Sequence, residues 1–241
     1  MAFALPSATY TQDSSLRSLL QKQTPKDITE AFYITQSLQQ VRGAVQDKAA
    51  FCNMADAVLE NAENIKLVYC AVHVSENLQC GKDASPKVKS LIFDVVESSS
   101  SSTEDLFFAT STAFKLREKN HISFDPKKFF TVIDTLNDLS TIDGSVKNTK
   151  RSSRGSMYYS GLAFQTAALI ADQVSLDSDH EFIVGILKEN MEGLMELATE
   201  TEDGSMFIDR GDSRTAFRAT NNFLRGVFEL ADDIDSIIEG V

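Results

Sequence analysis

"DLFFATSTAF", residues 105–114, places three aromatic side chains among small polar ones, without a glycine or a proline. The preceding "SSTE" (101–104) fits a capping box, in which a serine hydroxyl accepts from an amide of the first helical turn and a glutamate reaches back. We therefore predict a helix that starts near Ser102. The aromatic density alone leaves three interpretations open, namely a ligand pocket, a strand or a repeated packing unit.

The composition favours a helical protein. The chain has 241 residues, of which 42% are hydrophobic, so it can bury a sizeable core. It has only 11 glycines and 4 prolines, fewer turn-forming residues than a sandwich or a barrel needs. Capping side chains precede a proline at Thr24-Pro25, Ser85-Pro86 and Asp125-Pro126, which is typical of helix starts. We predict an all-α fold of about ten helices, near 14–22, 25–41, 46–60, 63–78, 86–98, 102–118, 126–139, 156–174, 178–199 and 213–234.

The opening stretch recurs along the chain. Its other copies are "EAFYITQSL" (30–38), "KLVYCAVHV" (66–74), "SMYYSGLAF" (156–164) and, more loosely, "TAFRATNNF" (215–223). Tyr33, Tyr69 and Phe108 are 36 and 39 residues apart, a distance that accommodates two helices and their connections. A helical hairpin of this length cannot bury its apolar face alone. We predict stacked α/α hairpins that form a superhelix or a toroid, with packing aromatics at Phe32, Tyr33, Tyr69, Phe107, Phe108, Tyr158, Tyr159 and Phe217.

The predicted organisation is an N-terminal tail over 1–12 and a single helical repeat domain over 13–241. One segment of that domain, "SVKNTKRSSRGS" (145–156), contains four basic residues, and Val146 is its only apolar residue. This composition predicts an exposed, flexible basic loop over 144–156. The candidate contacts for a partner in this loop are Lys147, Lys150, Arg151 and Arg154.

The charge and the apolar pattern exclude several classes of function. A net charge of -12 opposes binding to nucleic acid or to an anionic membrane, because both need clustered basic residues on a basic surface. The sequence has no run of 18 apolar residues, so we expect no membrane span within it. The start "MAFALPSATY" lacks a basic n-region, but Ala2-Phe3-Ala4 has the small residues that precede a signal-peptidase site. A trimmed secretory protein is therefore one interpretation.

The sequence offers no catalytic, cofactor or metal motif. The three histidines, His73, His121 and His180, have no second histidine at helical spacing. The acids of 177–181 begin like a calcium loop, but Phe182 stands where the turn glycine belongs. The serine-elbow, P-loop and dinucleotide-binding motifs are missing. We predict a non-enzymatic protein without a cofactor.

The three cysteines cannot be paired from their spacing. Cys52, Cys70 and Cys80 are 18 and 10 residues apart, which matches neither a C-x-x-C pair nor a zinc framework. Their redox state stays open on this reasoning.

Four segments, taken in order, resemble a known family. They are "EAFYITQSL", "KAAFCNMADAVLE" (48–60), "LVYCAVHVSENLQCGKD" (67–83) and "LAFQTAALI" (162–170). Their order along the chain resembles the N-terminal lumenal domain of the ribophorin II family, a non-catalytic subunit of the oligosaccharyltransferase complex. The resemblance runs over most of the chain and rests on helix-packing segments, so no catalytic residue carries over.

The resemblance implies a role in N-linked protein glycosylation in the endoplasmic reticulum. The chain would lie in the lumen, as part of a subunit whose membrane anchor is outside this sequence, and catalysis would belong to another subunit. It would support assembly or contact partners, namely other oligosaccharyltransferase subunits or lumenal proteins, and not nucleic acid. The family also implies a disulfide between Cys52 and Cys80, which suits an oxidising lumen, with Cys70 as a buried free thiol.

Two other functions remain as alternatives. A free cytosolic helical-repeat adaptor would keep all three cysteines reduced. An α/α-toroid enzyme acting on glycans or prenyl groups would bring two carboxylates together in a central cavity.

Overall fold

The structure is a computed structural model that describes residues 10–81, 83–195, 199–201, 204–206 and 216–230, with side chains over 14–81, 83–195 and 219–230. These residues form an all-α fold, as predicted. Its helices are α1 Tyr10–Gln21, α2 Ile28–Gln40, α3 Lys48–Asn61, α4 Ile65–Leu78, α5 Pro86–Val96, α6 Thr103–Glu118, α7 Phe130–Leu139, α8 Met157–Gln173, α9 Ser178–Met195 and α10 Ala216–Leu230. A 3-10 turn, Pro126–Phe129, leads into α7, and a small antiparallel hairpin pairs β1 (Thr199–Thr201) with β2 (Gly204–Met206).

Each predicted helix is present, but α2 starts later than the sequence indicated. The prediction made Thr24 the cap and Pro25 the first helical residue. In the structure α2 begins at Ile28, and the Asp27 carboxylate accepts from the Glu30 amide at 2.8 Å. Asp27 is the preferred cap because its carboxylate accepts a hydrogen bond from a free amide and interacts favourably with the positive end of the helix dipole.

The capping box of α6 lies one residue later than predicted. Ser102 is the cap, since its hydroxyl accepts from the Asp105 amide at 3.0 Å and donates to the Asp105 carboxylate at 2.7 Å. The hydroxyl of Ser101 instead donates to the Val95 carbonyl at 2.7 Å, which ties the end of α5 to the start of α6. The predicted start near Ser102 is therefore confirmed, but Ser102 and Asp105 make the capping contacts in place of Ser101 and Glu104.

The chain divides into two compact units. One holds Met1–Ile92 with Lys115–Ile122, and the other holds Phe93–Phe114 with Ser123–Val241, so the division falls within α5 and α6. In the first unit α4 packs against both α2 and α3. The apolar faces that meet there are buried, among them Ala31, Ile34, Leu38, Val68 and Ala71.

The second unit has an aromatic core that the repeat pattern did not predict. Phe93, Phe114, Phe124 and Phe129 form one cluster, with the Phe114 and Phe129 ring centroids 4.8 Å apart. Phe129 is fully buried, and Phe114 nearly so. Offset and edge-to-face contacts of this kind stabilise a core beyond the area that they bury.

The second unit also contains a close helix crossing, between α8 and α10. Gly161 and Gly226 face each other there, and a Cβ atom at Gly226 would lie 2.6 Å from the Gly161 carbonyl oxygen. The amide of the buried Gln165 side chain donates to the Asn222 carbonyl across the crossing at 3.1 Å. Glycine is needed at both positions because the two backbones touch.

The aromatic copies lie on alternate helices. The copies around Tyr33, Tyr69, Phe108 and Tyr159 fall on α2, α4, α6 and α8, and the loosest copy falls on α10. Pairs of even-numbered helices pack within each unit, α2 on α4 and α8 on α10. This alternation agrees with a hairpin repeat. The superhelical or toroidal arrangement and the single domain over 13–241 stay predictions.

Candidate interaction site

The basic loop predicted over 144–156 starts from a buried anchor. Val146 pairs with both Ser140 and Ser156 in isolated antiparallel bridges, and its side chain is fully buried. The Val146 amide donates to the Ser160 hydroxyl of α8 at 2.9 Å. The start of the loop is therefore fixed by buried contacts within the second unit, although the sequence indicated an exposed segment at Val146.

A tight turn precedes this anchor. The Asp143 carboxylate accepts from the Ser145 amide at 3.2 Å, from the Ser145 hydroxyl at 2.6 Å and from the Thr141 hydroxyl. Gly144 has a φ of 79°, a left-handed conformation that favours glycine. The side chain of Ile142 is fully exposed at the tip of this turn.

A second set of contacts ties the loop to the start of α6. The Thr103 amide donates to the Asn148 carbonyl at 2.8 Å, and the Thr103 hydroxyl donates to the Lys147 carbonyl at 2.6 Å. The Glu104 amide lies 3.4 Å from the Asn148 side-chain oxygen. These contacts satisfy amides of the first turn of α6 that would otherwise lack a partner.

The basic side chains lie outside these anchors. Lys150, Arg151 and Arg154 are exposed, and Lys147 is half-buried. Lys150 pairs with Asp138 at 2.9 Å, in a bridge whose two side chains are largely exposed. Within the part of the chain that the structure describes, no carboxylate lies within ion-pair distance of Lys147, Arg151 or Arg154. Their charges are therefore available to a partner.

The predicted packing aromatics divide by burial. Phe108 is buried, and its ring meets Phe107 edge-on at 5.6 Å. Five others are half-buried, namely Phe32, Tyr69, Phe107, Tyr158 and Tyr159. The side chain of Phe217 lies outside the described residues.

Tyr33 is wrong as a core residue, because 59% of its side chain is exposed. Its neighbour Phe32 takes the packing position and meets the Tyr69 ring at 5.6 Å. Adjacent residues on a helix point about 100° apart, so Tyr33 turns to an open cleft between α1 and α2 instead. Leu20 and Ile34 also line this cleft, which the sequence reasoning missed because it needs two helices to form.

The histidines have partners that the sequence did not indicate. A ring nitrogen of His73 lies 3.2 Å from the Lys115 ammonium, which also pairs with Glu76 at 2.9 Å. Burial lowers the pKa of Lys115. The His73 ring also contacts the Tyr69 ring at a tilt of 52°, with the two ring centroids 4.3 Å apart. This group is half-buried and links α4 to α6 within the first unit, as a structural contact would.

A second histidine, His180, contacts the residue that caps α9. The Asp177 carboxylate accepts from the His180 amide at 3.1 Å and lies 2.6 Å from a ring nitrogen of the same residue. These hydrogen bonds lower the pKa of Asp177. The acids of 177–181 therefore belong to the start of α9. The described residues contain no group of three or more His, Cys, Asp or Glu that could hold a metal ion.

The cysteines pair as the family resemblance implied. Cys52 in α3 and Cys80, just after α4, form a disulfide across 28 residues, with Cα atoms 5.6 Å apart. Cys70 is a buried free thiol on α4, and burial raises its pKa to about 11. A thiol of that pKa stays protonated and unreactive near neutrality.

Comparison with known proteins shows the family of this chain. A search of curated proteins and a search of solved structures gave no match. Among the described residues, no helix has the length and apolar character that crossing a membrane requires. The family model for the ribophorin II N-terminal domain matches residues 9–238, nearly the whole chain. In this family the domain is the endoplasmic reticulum lumenal part of an accessory oligosaccharyltransferase subunit. The chain belongs to the ribophorin II N-terminal domain family.

Proposed function

We propose that this chain is a non-catalytic lumenal domain that supports N-linked glycosylation by contacting other oligosaccharyltransferase subunits. The observation that carries the proposal is the family match over residues 9–238. The whole subunit would be held at the membrane by segments outside this sequence. Its role is to help the complex assemble or to hold partners near it.

The basic loop is the contact that we assign to an acidic partner surface. Arg151 and Arg154 are exposed, and so is Ile142 in the turn that precedes the loop. Exposed apolar and basic side chains are the residue types that form the centre and the charged rim of protein interfaces. Because the rest of the chain is acidic, this loop gives the partner a local charge of opposite sign to recognise.

The disulfide favours this function over a cytosolic adaptor. Disulfides persist in oxidising compartments such as the lumen and are rare in the cytosol. The Cys52–Cys80 bridge therefore supports a lumenal setting. The enzyme alternative has less support, since the two carboxylates that line the open cleft between α1 and α2, Asp27 and Glu30, each accept a backbone hydrogen bond at the start of α2.

The test is affinity purification of the tagged chain, directed to the lumen, from detergent-solubilised microsomes. We expect recovery of the catalytic transferase subunit. Failure to recover it at low salt would overturn the proposal.

The contribution of the loop needs its own variant. Replacing Arg151 and Arg154 by alanine removes two exposed charges without touching the anchors of the loop, so recovery should fall and its salt dependence should weaken. The matched control replaces the exposed Lys48 and Lys87, which also removes two charges, and should leave recovery unchanged. If both double variants recover the catalytic subunit equally, the loop is not part of the interface.

A further inference from the structure

A second surface lies in the first unit, between α1 and α2. It is an open cleft of about 440 Å³. We call it the α1–α2 cleft and define it by Leu20, Asp27, Glu30, Tyr33, Ile34 and Ser37.

The two helices that form the cleft carry exposed apolar side chains. Seven large apolar side chains are exposed in the described part of the chain, and three of them, Leu16, Leu19 and Tyr33, are on α1 and α2. Leu19 is 65% exposed and Tyr33 is 59% exposed. Leu16 lies four residues before Leu20, so both are on the same face of α1. Tyr33, with Leu20 and Ile34 in the cleft itself, offers apolar surface of the kind found at interaction sites.

Two carboxylates give this patch a negative rim. Asp27 accepts from the Glu30 amide at 2.8 Å, and Glu30 accepts from the Lys26 amide at 2.8 Å. Over the described residues, no lysine or arginine side chain lies within ion-pair distance of either carboxylate. The backbone contacts hold both carboxylates in place, and neither is paired with a basic side chain of the described residues.

We propose that the α1–α2 cleft binds an amphipathic helix of another subunit of the complex, one that presents apolar side chains beside a lysine or an arginine. Helices form both walls of the cleft, so no free sheet edge is present to bind an extended strand through its backbone. Affinity must then come from side chains, as in helix-in-groove recognition. The inference rests on the proposed function, because that function supplies the partner complex.

The charges also argue against other occupants. A second copy of the chain docked through the same cleft would place the Asp27 and Glu30 carboxylates of both copies at one interface, and like charges there oppose association. Anionic lipid headgroups meet the same repulsion. A basic amphipathic helix has the charge and the apolar side chains that fit.

The direct test measures binding of a fluorescein-labelled helical peptide built from leucine, lysine and glutamine, by fluorescence anisotropy. A matched peptide with glutamate in place of lysine should bind far more weakly. The variant Asp27→Asn/Glu30→Gln keeps both backbone acceptors, because asparagine also caps helices, and it should weaken binding about three- to tenfold at low salt. The variant Tyr33→Ser, which removes the exposed ring from the cleft, should weaken binding about tenfold or more.

The control is Phe182→Ser, which removes an equally exposed apolar side chain from α9. It should bind the lysine peptide like the wild type. Equal binding by wild type and by both cleft variants would overturn the inference, and so would equal binding of the two peptides. A dimer in light scattering that Tyr33→Ser abolishes would assign the cleft to a second copy and would also overturn the inference.

The microsome purification separates this inference from the proposed function. If the wild-type chain fails to recover the catalytic subunit, the proposed function fails. If wild type and both cleft variants recover it equally and bind the peptide equally, the inference alone fails. Recovery that falls in the cleft variants but not in Phe182→Ser supports both.

Discussion

The crossing of α8 and α10 predicts that Gly161→Ala destabilises the protein, although alanine is the better helix former. A Cβ atom at this position would lie 2.5 Å from the Phe223 amide nitrogen and closer still to the Asn222 carbonyl. These are backbone atoms of α10, so no side-chain rotation relieves the contact. The two helices must separate to admit the methyl group.

The expected size of the effect follows from three contributions. Alanine in place of glycine in a helix interior stabilises by about 1 kcal/mol. Overpacking a well-packed interface costs about 1 to 3 kcal/mol. Separation also lengthens the 3.1 Å hydrogen bond between Gln165 and the Asn222 carbonyl, and losing it costs about 1 kcal/mol. The net loss in the free energy of unfolding is about 1 to 3 kcal/mol.

Gly185→Ala is the matched control. A Cβ atom at Gly185, in the middle of α9, meets nothing within 4 Å. This variant should therefore gain up to about 1 kcal/mol from helix propensity alone. Urea unfolding followed by far-UV circular dichroism should separate the two variants by about 2 to 4 kcal/mol. If Gly161→Ala unfolds at the same urea concentration as Gly185→Ala, or at a higher one, the close crossing is refuted.

Three further predictions concern other contacts. Ser102→Ala should lower the free energy of unfolding by about 1 kcal/mol in urea, since it removes the cap of α6, and an unchanged midpoint would contradict that role. Cys52→Ser/Cys80→Ser should lose about 3 to 4 kcal/mol, as expected for closing a loop of this length, and the loss should match that of the reduced wild type. Asp177 has its pKa lowered from 3.8 by the His180 hydrogen bonds, so its stabilisation is full above that pH and is lost as the pH falls through the folded-state value. Asp177→Asn keeps the cap without the charge, so its free energy of unfolding should fall less steeply than that of wild type as the pH drops below 3.8. Identical dependence of the free energy of unfolding on pH in the two proteins would argue against this contribution.

The helices could be predicted because their signals are local. Apolar spacing and capping residues act within a few positions of each other, and all ten predicted helices are present. The choice between neighbouring caps is not local. Ser101 and Ser102 are equivalent in sequence, and only the contact of Ser101 with the Val95 carbonyl decides which of them caps α6.

The burial of each aromatic could not be predicted from the repeat. Within "DLFFATSTAF" the pair Phe107 and Phe108 matches the other copies, yet Phe114 enters the main aromatic cluster with Phe129. That cluster depends on rings brought together from distant parts of the chain. Tyr33 shows the same limit, because its exposure depends on where α1 lies.

The disulfide was open on spacing alone, and the family resemblance resolved it. Three cysteines allow three pairings, and Cys70 lies closer in sequence to Cys80 than Cys52 does. The fold decides which two cysteines pair, since Cys70 is buried in the first unit while Cys52 and Cys80 lie close enough to bond.

The anchoring of the basic loop bears on how this segment tolerates substitution. Ser145, Val146 and Asn148 each hold the loop through burial or hydrogen bonds, and a side chain at Gly155 would collide with Ser145. Residues 150–154 carry the exposed charges and make none of these anchoring contacts; Lys150 forms a surface ion pair, and Ser152 forms hydrogen bonds with Thr149. The charges of Lys150, Arg151 and Arg154 can therefore be exchanged without loss of the fold. A deep mutational scan for folding should find the two ends of the loop intolerant and its middle permissive.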